Sequence, residues 1–312
     1  MPKLKGIDQK YLFDKQVDKE NDTVAYNDEK HLYFSKDDGA PYISVTTLIG
    51  KYKQPFNAEF WASYKALESL LDISDFQSVK STLLSTKQWD DKYLDAFEID
   101  HTTFDAKKAE ILQSYEDKKN IACERGTKIH AELEQRFYDL DPTAVAKYAG
   151  GGKFSCKKGY YHLDLPKAIY PEFLISHKFD DFLKIAGQID LLVIDGKDVY
   201  IKDWKSNAKI DKDSFYDRNT KKKQTMKYPL TNIPDCNFYH YALQLSIYAY
   251  LLQTIRPSFR IRQLAIVHFD HDGNEVEYEC PYLKDEVAKL LLHHRRQMKI
   301  QYQLDKDKPI IF

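Results

Sequence analysis

Residues 187–205 constrain the fold of this chain more than any other stretch. Two short apolar runs flank the dipeptide Asp195-Gly196, and an Asp-Gly pair between apolar runs is typical of a β-hairpin. Alternate side chains of a strand share a face, so the second strand is expected to place four together: Val199, Ile201, Asp203 and Lys205. A face that begins in a core and ends in an acid and a base indicates a functional site, although a solvated edge strand is the common alternative.

A second acid lies on the preceding strand of this hairpin. Asp190 ends the segment Gly-Gln-Ile-Asp, and it is near enough to meet Asp203 and Lys205 across the strand pair. Two carboxylates and an ammonium group at one end of a sheet can hold a divalent metal by oxygen ligands and keep a lysine beside it. The hairpin therefore predicts a metal site with Asp190 and Asp203 as ligands.

A helix and a strand upstream of the hairpin add two candidate ligands. Residues 103–140 are predicted to form one long helix or two helices in line, and His130 lies there beside a buried apolar stripe. A single histidine on a helix is more often structural than functional. Glu172 opens a strand predicted at 169–178 and is within reach of the metal region, whereas a glutamate at a strand edge is more often solvated.

Residues 238–254 are predicted to form a buried helix, because most of the surface of that helix is apolar. Gln244 and Tyr248 are polar groups one turn apart on it. Buried polar groups need hydrogen-bond partners, and a site with carboxylates and a lysine would supply them. This helix is therefore expected to face the hairpin site.

The chain is predicted to contain an annex and a core. Residues 1–102 are expected to form an N-terminal hairpin and a mainly helical annex, with a helix opened by Ser44 and another over 57–71. Residues 103–312 hold the candidate catalytic and metal-binding residues and are expected to form one compact unit. Its remaining parts are a polar insertion at 206–237, a second hairpin at 259–280 and a closing helix at 283–303.

The charge balance limits how the chain can bind nucleic acid. The 47 basic and 48 acidic residues give a formal net charge of −1, which argues against a strongly basic coat protein. Phosphate binding would depend on bound metal and on local patches, and one candidate patch is Lys221, Lys222 and Lys223. A solvated loop is the equally good alternative for these lysines.

Neither the apolar runs nor the cysteines indicate a membrane or secreted protein. No apolar run approaches the roughly 20 residues of a membrane helix, and the first residues lack the apolar block of a signal peptide. Four cysteines lie far apart without a Cys-x-x-Cys pair, so neither a zinc site nor an iron–sulfur cluster is expected. The expectation is a cytoplasmic protein with reduced thiols and no membrane partner.

Four segments between about residues 120 and 255 resemble, in order, the motifs of the PD-(D/E)xK nuclease superfamily in its RecB-like and phage-exonuclease branch. They are Arg125-Gly-Thr-Lys-Ile-His130, Gly187-Gln-Ile-Asp190, Asp203-Trp-Lys205 and Gln244-Leu-Ser-Ile-Tyr248. The resemblance implies an α/β fold, with a restriction-endonuclease-like core in which helices flank a central mixed sheet. Two departures are the long insertion before Gln244 and the lack of clustered cysteines near the C-terminus.

The resemblance also implies a role for each matching residue. Mg²⁺ or Mn²⁺ would be bound by Asp190, Asp203, the backbone carbonyl of Trp204 and His130, with Glu172 as a further candidate. Lys205 would hold or deprotonate the attacking water, although the nearby carboxylates oppose the lowered pKa that a base needs. Gln244 would fix Lys205 or the scissile strand, and Tyr248 would pack beneath or touch a phosphate. Arg125 and Lys221–Lys223 would contact nucleic acid.

The activity expected from this resemblance is metal-dependent hydrolysis of single- or double-stranded DNA, most simply by an exonuclease in recombination, repair or phage DNA processing. An endonuclease, an RNA-directed nuclease and a non-catalytic DNA-binding module of a phage remain open. A homo-oligomer, or a single-strand-annealing or replication protein as partner, is conceivable by analogy only.

Overall fold

The computed structural model of this protein describes residues 19–139, 142–148, 153–157, 165–217, 221–270 and 272–306. The chain divides into two compact units. The first comprises Met1–Lys53, Lys128–Phe215 and Lys223–Phe312, and the second comprises Gln54–Thr127 and Tyr216–Lys222. This division differs from the one predicted after residue 102, because the N-terminal strands belong to the sheet of the first unit.

Nine strands of the described residues form one mixed sheet in the order β1-β2-β3-β4-β6-β7-β10-β11, with β5 paired to β6, and β8 and β9 form a separate two-stranded sheet. The strands are β1 (Lys19–Glu20), β2 (Val24–Asn27), β3 (Leu32–Ser35), β4 (Pro41–Ser44), β5 (Ala168–Asp180), β6 (Leu183–Asp195), β7 (Asp198–Lys205), β8 (Tyr216–Asp217), β9 (Lys222–Lys223), β10 (Arg260–Phe269) and β11 (Glu275–Glu279). The predicted hairpin 187–205 is confirmed as the pair β6 and β7, joined at Gly196 with a φ of +64°.

The described helices are α1 (Val45–Gly50), α2 (Ala58–Leu70), α3 (Ile73–Thr86), α4 (Lys92–Ala96), α5 (His101–Tyr138), α6 (Pro142–Tyr148), α7 (Asn237–Ile255) and α8 (Lys284–Lys306). The helix starts predicted at Ser44 and Asn57 are confirmed. Ser44 accepts a hydrogen bond from the backbone N–H of Thr47, and Asn57 accepts one from Phe60. No helix among these is long and apolar enough to cross a membrane.

Helices cover both faces of the sheet in the first unit. One face packs against α1, α7 and α8 through buried residues such as Leu48, Leu243 and Leu290. The other face packs against the last turns of α5 and against α6, where Phe137 and Tyr148 are buried. The predicted α/β class, with a mixed sheet flanked by helices, is therefore confirmed.

One edge of strand β6 pairs with two strands in succession, β4 and then β7. Strand β5 pairs with β6 along the opposite edge. On the shared edge, β4 pairs in parallel at Ile185 and Ala186, and β7 pairs antiparallel from Leu191 to Asp195. The carboxyl ends of β4 and β7 therefore point toward each other across residues 187–190, which is the Gly-x-x-Asp segment. A gap in strand pairing leaves backbone and side chains free to form a site.

The second unit is helical, as the annex was predicted to be. Helices α2, α3 and α4 and the first part of α5 pack around buried residues that include Phe60, Leu67, Leu83 and Phe104. This annex extends from residue 54 to residue 127 rather than ending at 102. The boundary falls within α5, because the apolar residues of its first part complete the helical core and those of its last turns complete the sheet core.

Candidate metal centre

Three side chains from three elements meet at the gap in strand pairing. His130 Nδ1 lies 3.2 Å from Glu172 Oε1, and His130 Nε2 lies 3.7 Å from Asp190 Oδ2. One ligand atom from each of the three residues lies within 4.8 Å of the other two. The backbone oxygen of Trp204 is 3.2 Å from His130 Nε2. An imidazole, two carboxylates and a carbonyl oxygen form a donor set for a divalent cation.

An irregularity in β5 and β6 turns the two acids toward this point. The ladder pairs Pro171 with Leu191 and Phe173 with Ile189, which places Glu172 opposite Asp190. Glu172 has a φ of +49°, a left-handed conformation uncommon for residues other than glycine. The side chains that pack toward α7 have even numbers before this point on β5 and odd numbers after it, and on β6 they change from odd to even. They are Ala168, Tyr170, Phe173 and Ile175 on β5, and Ile185, Ile189, Leu192 and Ile194 on β6. Local backbone strain of this kind is typical of functional sites.

Asp203 and Lys205 form a second set beside the first. Lys205 Nζ lies 2.5 Å from Asp203 Oδ2, while Gln244 donates a hydrogen bond of 2.9 Å to Asp203 Oδ1. The Gln244 amide is also 3.3 Å from the hydroxyl oxygen of Tyr248. The structure thus brings together four predicted residues, but among the described residues the close ligand cluster contains Glu172 in place of Asp203. Asp203 is held instead by α7 and by Lys205.

The two sets are joined through the backbone of β7. The N–H of Trp204 donates a 2.7 Å hydrogen bond to Asp190 Oδ2. This bond lies just beyond the regular pairing of β6 with β7, which ends at Leu191 and Lys202. Asp190 and Asp203 would be the next opposed pair, so both acids lie at the same end of the hairpin, as the sequence predicted.

Burial and mutual repulsion raise the pKa values of Asp190 and Asp203. Burial, with the neighbouring carboxylate of Asp190, raises the pKa of Asp203 to about 7 despite the ammonium of Lys205. Burial also raises the pKa of Asp190, and Glu172 adds to that rise. A bound cation would stabilise the ionised form of these acids.

The neighbouring carboxylates raise the pKa values of the two basic groups, His130 and Lys205. Burial alone would lower the pKa of His130, but Asp190 and Glu172 outweigh it and raise the value to about 9. Burial would likewise lower the pKa of Lys205, but Asp203 and Asp190 raise it above the ordinary lysine value. Lys205 is therefore a charged hydrogen-bond donor. A cation that takes His130 as ligand must displace its proton.

Gly187 explains why a glycine opens the Gly-x-x-Asp segment. A Cβ atom at this position would lie 2.7 Å from Cε1 of Tyr248 and 3.1 Å from Cγ2 of Val45. The glycine therefore makes room for the ring of Tyr248, whose hydroxyl meets Gln244. The second and fourth sequence motifs are in direct contact for this reason.

Three residues near the site were not predicted. The side-chain amide of Gln188 donates a hydrogen bond to Glu172, and Lys19 Nζ lies 3.9 Å from Glu172 Oε2. The ring centroid of Tyr241 is 4.8 Å from Lys205 Nζ, which permits a cation–π interaction. Gln188 lies inside a recognised motif and Tyr241 lies one turn before Gln244, so both had a signal. Lys19 had none, because it lies outside every motif identified in the sequence.

The predicted nucleic-acid contacts are divided between the two units. Arg125 is part of the second unit, as are Lys221 and Lys222, which are exposed. Lys223 forms an ion pair with Asp213. The insertion 206–237 is not a solvated loop throughout, because Met226, Leu230 and Ile233 are buried in the core between the sheet and α7.

Comparison with known proteins does not assign this site. No protein-family model matches the chain, and no curated protein matches it. A similar solved structure is that of SSO0001, with a sequence identity of 16% and a TM-score of 0.30. The aligned region covers 62% of this chain and 67% of the SSO0001 chain. Similarity at this level carries no argument about activity.

Proposed function

We propose that this protein is a divalent-metal-dependent nuclease that hydrolyses DNA, with a restriction-endonuclease-like core, and that it acts as an exonuclease. One observation carries the proposal: His130, Glu172, Asp190 and the Trp204 carbonyl converge beside the Asp203–Lys205 pair at the gap between β4 and β7. The order of the four sequence motifs supports the same assignment.

The residues present fit a divalent cation. Asp190 and Glu172 are buried acids next to each other and to an imidazole, a surplus of negative charge that a cation would offset. A bound Mg²⁺ or Mn²⁺ would polarise the scissile phosphate and supply an activated water. The imidazole favours Mn²⁺ more than an all-oxygen site would.

Lys205 has a positioning and charge-stabilising role in this proposal. Its ammonium is held in the charged form by Asp203 and Asp190, so it can donate a hydrogen bond to the attacking water or to a phosphate oxygen. A charged lysine is a poor general base at neutral pH, and the water proton would pass to another acceptor. Gln244 fixes the Asp203 carboxylate, and Tyr248 packs against Gly187 and fixes Gln244.

The proposal is tested with purified protein on linear duplex, closed circular and single-stranded DNA, with Mn²⁺, Mg²⁺ or EDTA. We expect degradation of linear DNA only with metal, and loss of that activity in Asp190→Asn. Asp198→Asn is the matched control, because Asp198 lies on β7 but pairs with Arg260 and Arg262 away from the site.

The same panel separates the alternatives. A closed circle survives an exonuclease and is cut by an endonuclease. Metal-independent binding without any cleavage would support the non-catalytic DNA-binding module and refute the nuclease. Cleavage of RNA but not of DNA would change the substrate and keep the metal centre.

A further inference from the structure

Tyr228 lies on the surface of the first unit as part of a cluster of three rings that meet edge to face. Its side chain is 69% exposed. Its ring centroid is 5.1 Å from that of His293 on α8, and the Tyr52 ring lies 5.7 Å from the same imidazole. The Tyr52 hydroxyl is 3.1 Å from His293 Nδ1 and 3.3 Å from Gln297 Oε1. Tyr228 therefore presents an exposed ring that is in edge-to-face contact with His293.

The backbone that carries Tyr228 is held in place. The N–H of Lys227 donates a 2.8 Å hydrogen bond to the carbonyl of Tyr52, and the N–H of Leu230 donates one of 2.9 Å to Lys227. Leu230 is fully buried in the core beside α7. An exposed ring on an anchored segment loses little conformational freedom when it binds a partner.

Three lysines lie next to Tyr52 and Tyr228 in the chain. Lys51 and Lys53 flank Tyr52, and Lys227 precedes Tyr228. In the part of the chain that the structure describes, none of the three forms an ion pair, although the whole chain is nearly neutral. Lys51 contributes to the positive surroundings that lower the pKa of His294, after burial as the main cause.

Lys53 connects the cluster of rings with the metal centre. Burial is the main cause of its lowered pKa; the carboxylate of Asp235 opposes this shift, and the positive charge of Lys205 adds to it. Asp235 is also near Lys53, but its two oxygens already meet His240 Nε2 at 2.6 Å and Gln224 Nε2 at 3.0 Å. Lys53 is thus close enough to both Asp235 and Lys205 to interact with them electrostatically.

We propose that Tyr228, which meets His293 edge to face and has Lys51, Lys53 and Lys227 nearby in the chain, is a platform that binds a single-stranded segment of nucleic acid leading to the metal centre. An aromatic surface with unpaired cations fits a strand whose bases are free to stack and whose phosphates need counter-charges. Bases inside a duplex are already stacked, so a duplex can use only the cations. The inference rests on the proposed function for the destination of the strand.

The test measures the binding of a labelled oligo(dT) of about 20 nucleotides, and of a blunt duplex of equal length, by fluorescence anisotropy in EDTA. We expect Tyr228→Ala to weaken oligo(dT) binding about tenfold, Tyr228→Phe to change it less than about twofold, and duplex binding to change little in either. Phe56→Ala is the control, because Phe56 is 66% exposed and lacks this lysine cluster.

The lysines are tested through the salt dependence of binding. Lys51→Gln is expected to reduce the slope of log affinity against log salt by about 0.7 for single strands. Lys178→Gln should leave the slope unchanged, since Lys178 already pairs with Asp181 at 3.0 Å.

Unchanged oligo(dT) binding in Tyr228→Ala, or equal losses for oligo(dT) and duplex, would overturn the platform. The readout requires no metal and no cleavage, so it separates the two proposals. Binding that depends on Tyr228 in a protein that cleaves nothing would keep the platform and refute the nuclease. Nuclease activity with no effect of Tyr228→Ala on binding would do the reverse.

Discussion

Strand β7 carries two buried or largely buried lysines with similar immediate partners and different surroundings. Lys202 Nζ lies 2.6 Å from Glu277 and 5.3 Å from the ring centroid of Tyr148. Lys205 Nζ lies 2.5 Å from Asp203 and 4.8 Å from the ring centroid of Tyr241. Each lysine therefore has one carboxylate and one tyrosine ring, on opposite faces of the sheet.

The two lysines differ in the exposure of the partner carboxylate and in the number of other carboxylates nearby. The side chain of Glu277 is 35% exposed, so water as well as Lys202 stabilises its negative charge. Asp203 is 1% exposed, and the buried Asp190 and Glu172 lie close by. A buried lysine–acid pair alone is a structural feature, whereas a surplus of buried carboxylates requires a further cation.

The largest expected effect comes from removing each lysine in turn. Lys205→Met should reduce metal-dependent DNA degradation about 100-fold or more, because a charge aimed at the reacting phosphate or water is lost. The variant should remain folded, since Asp203 has a pKa of about 7 and can take up a proton. Lys202→Met should keep the activity and lose about 1–2 kcal/mol of stability. Initial rates and urea unfolding measure both, and equal activity losses would contradict the comparison.

The next effect concerns metal-dependent stability. Mn²⁺ at about 100 times its Kd should raise the free energy of unfolding of the wild-type protein by about 2.7 kcal/mol. Asp190→Asn should lose most of this gain, because a ligand of the close cluster is neutralised. Thermal unfolding in Mn²⁺ and in EDTA measures it, with Asp198→Asn as the variant that should respond like wild type. A full gain in Asp190→Asn would mean that the cation binds elsewhere.

A smaller effect is expected where the glycine motif meets α7. Gly187→Ala should cost about 1–3 kcal/mol, because its Cβ would overlap the Tyr248 ring, which is buried and cannot move freely. Gly50→Ala provides the control, since nothing lies within 4 Å of a Cβ there. Denaturant unfolding of both variants measures the difference, and equal stabilities would show that the ring can shift at little cost.

The smallest effect is expected from His294, which has positively charged neighbours where His130 has carboxylates. Burial, Lys51 and His293 lower the pKa of His294 to about 4, below the unfolded value of about 6.5. The unfolded state therefore binds the proton more readily, and stability falls as pH drops below about 6.5. Lowering the pH from 7.5 to 5.5 should cost about 1 kcal/mol through this group. His294→Gln should remove that part of the pH dependence of urea unfolding, and an unchanged dependence would assign it to other groups.

Local signals in the sequence determined the hairpin at Asp195-Gly196, the helix starts at Ser44 and Asn57, and the grouping of Asp203, Lys205, Gln244 and Tyr248. These depend on contacts between residues close in sequence or on period and polarity, which a sequence states directly. The α/β class followed from the same signals together with the family resemblance.

Only the tertiary structure decided which acid joins His130 and Asp190. Glu172 enters the cluster because its backbone adopts a left-handed conformation opposite Asp190, and no residue pattern encodes that local irregularity. Lys19 and the strands around residues 19–44 join the same sheet because β4 pairs with β6, a contact between segments more than 100 residues apart. Pairings over such distances depend on which strand edges remain free after the rest of the sheet has formed.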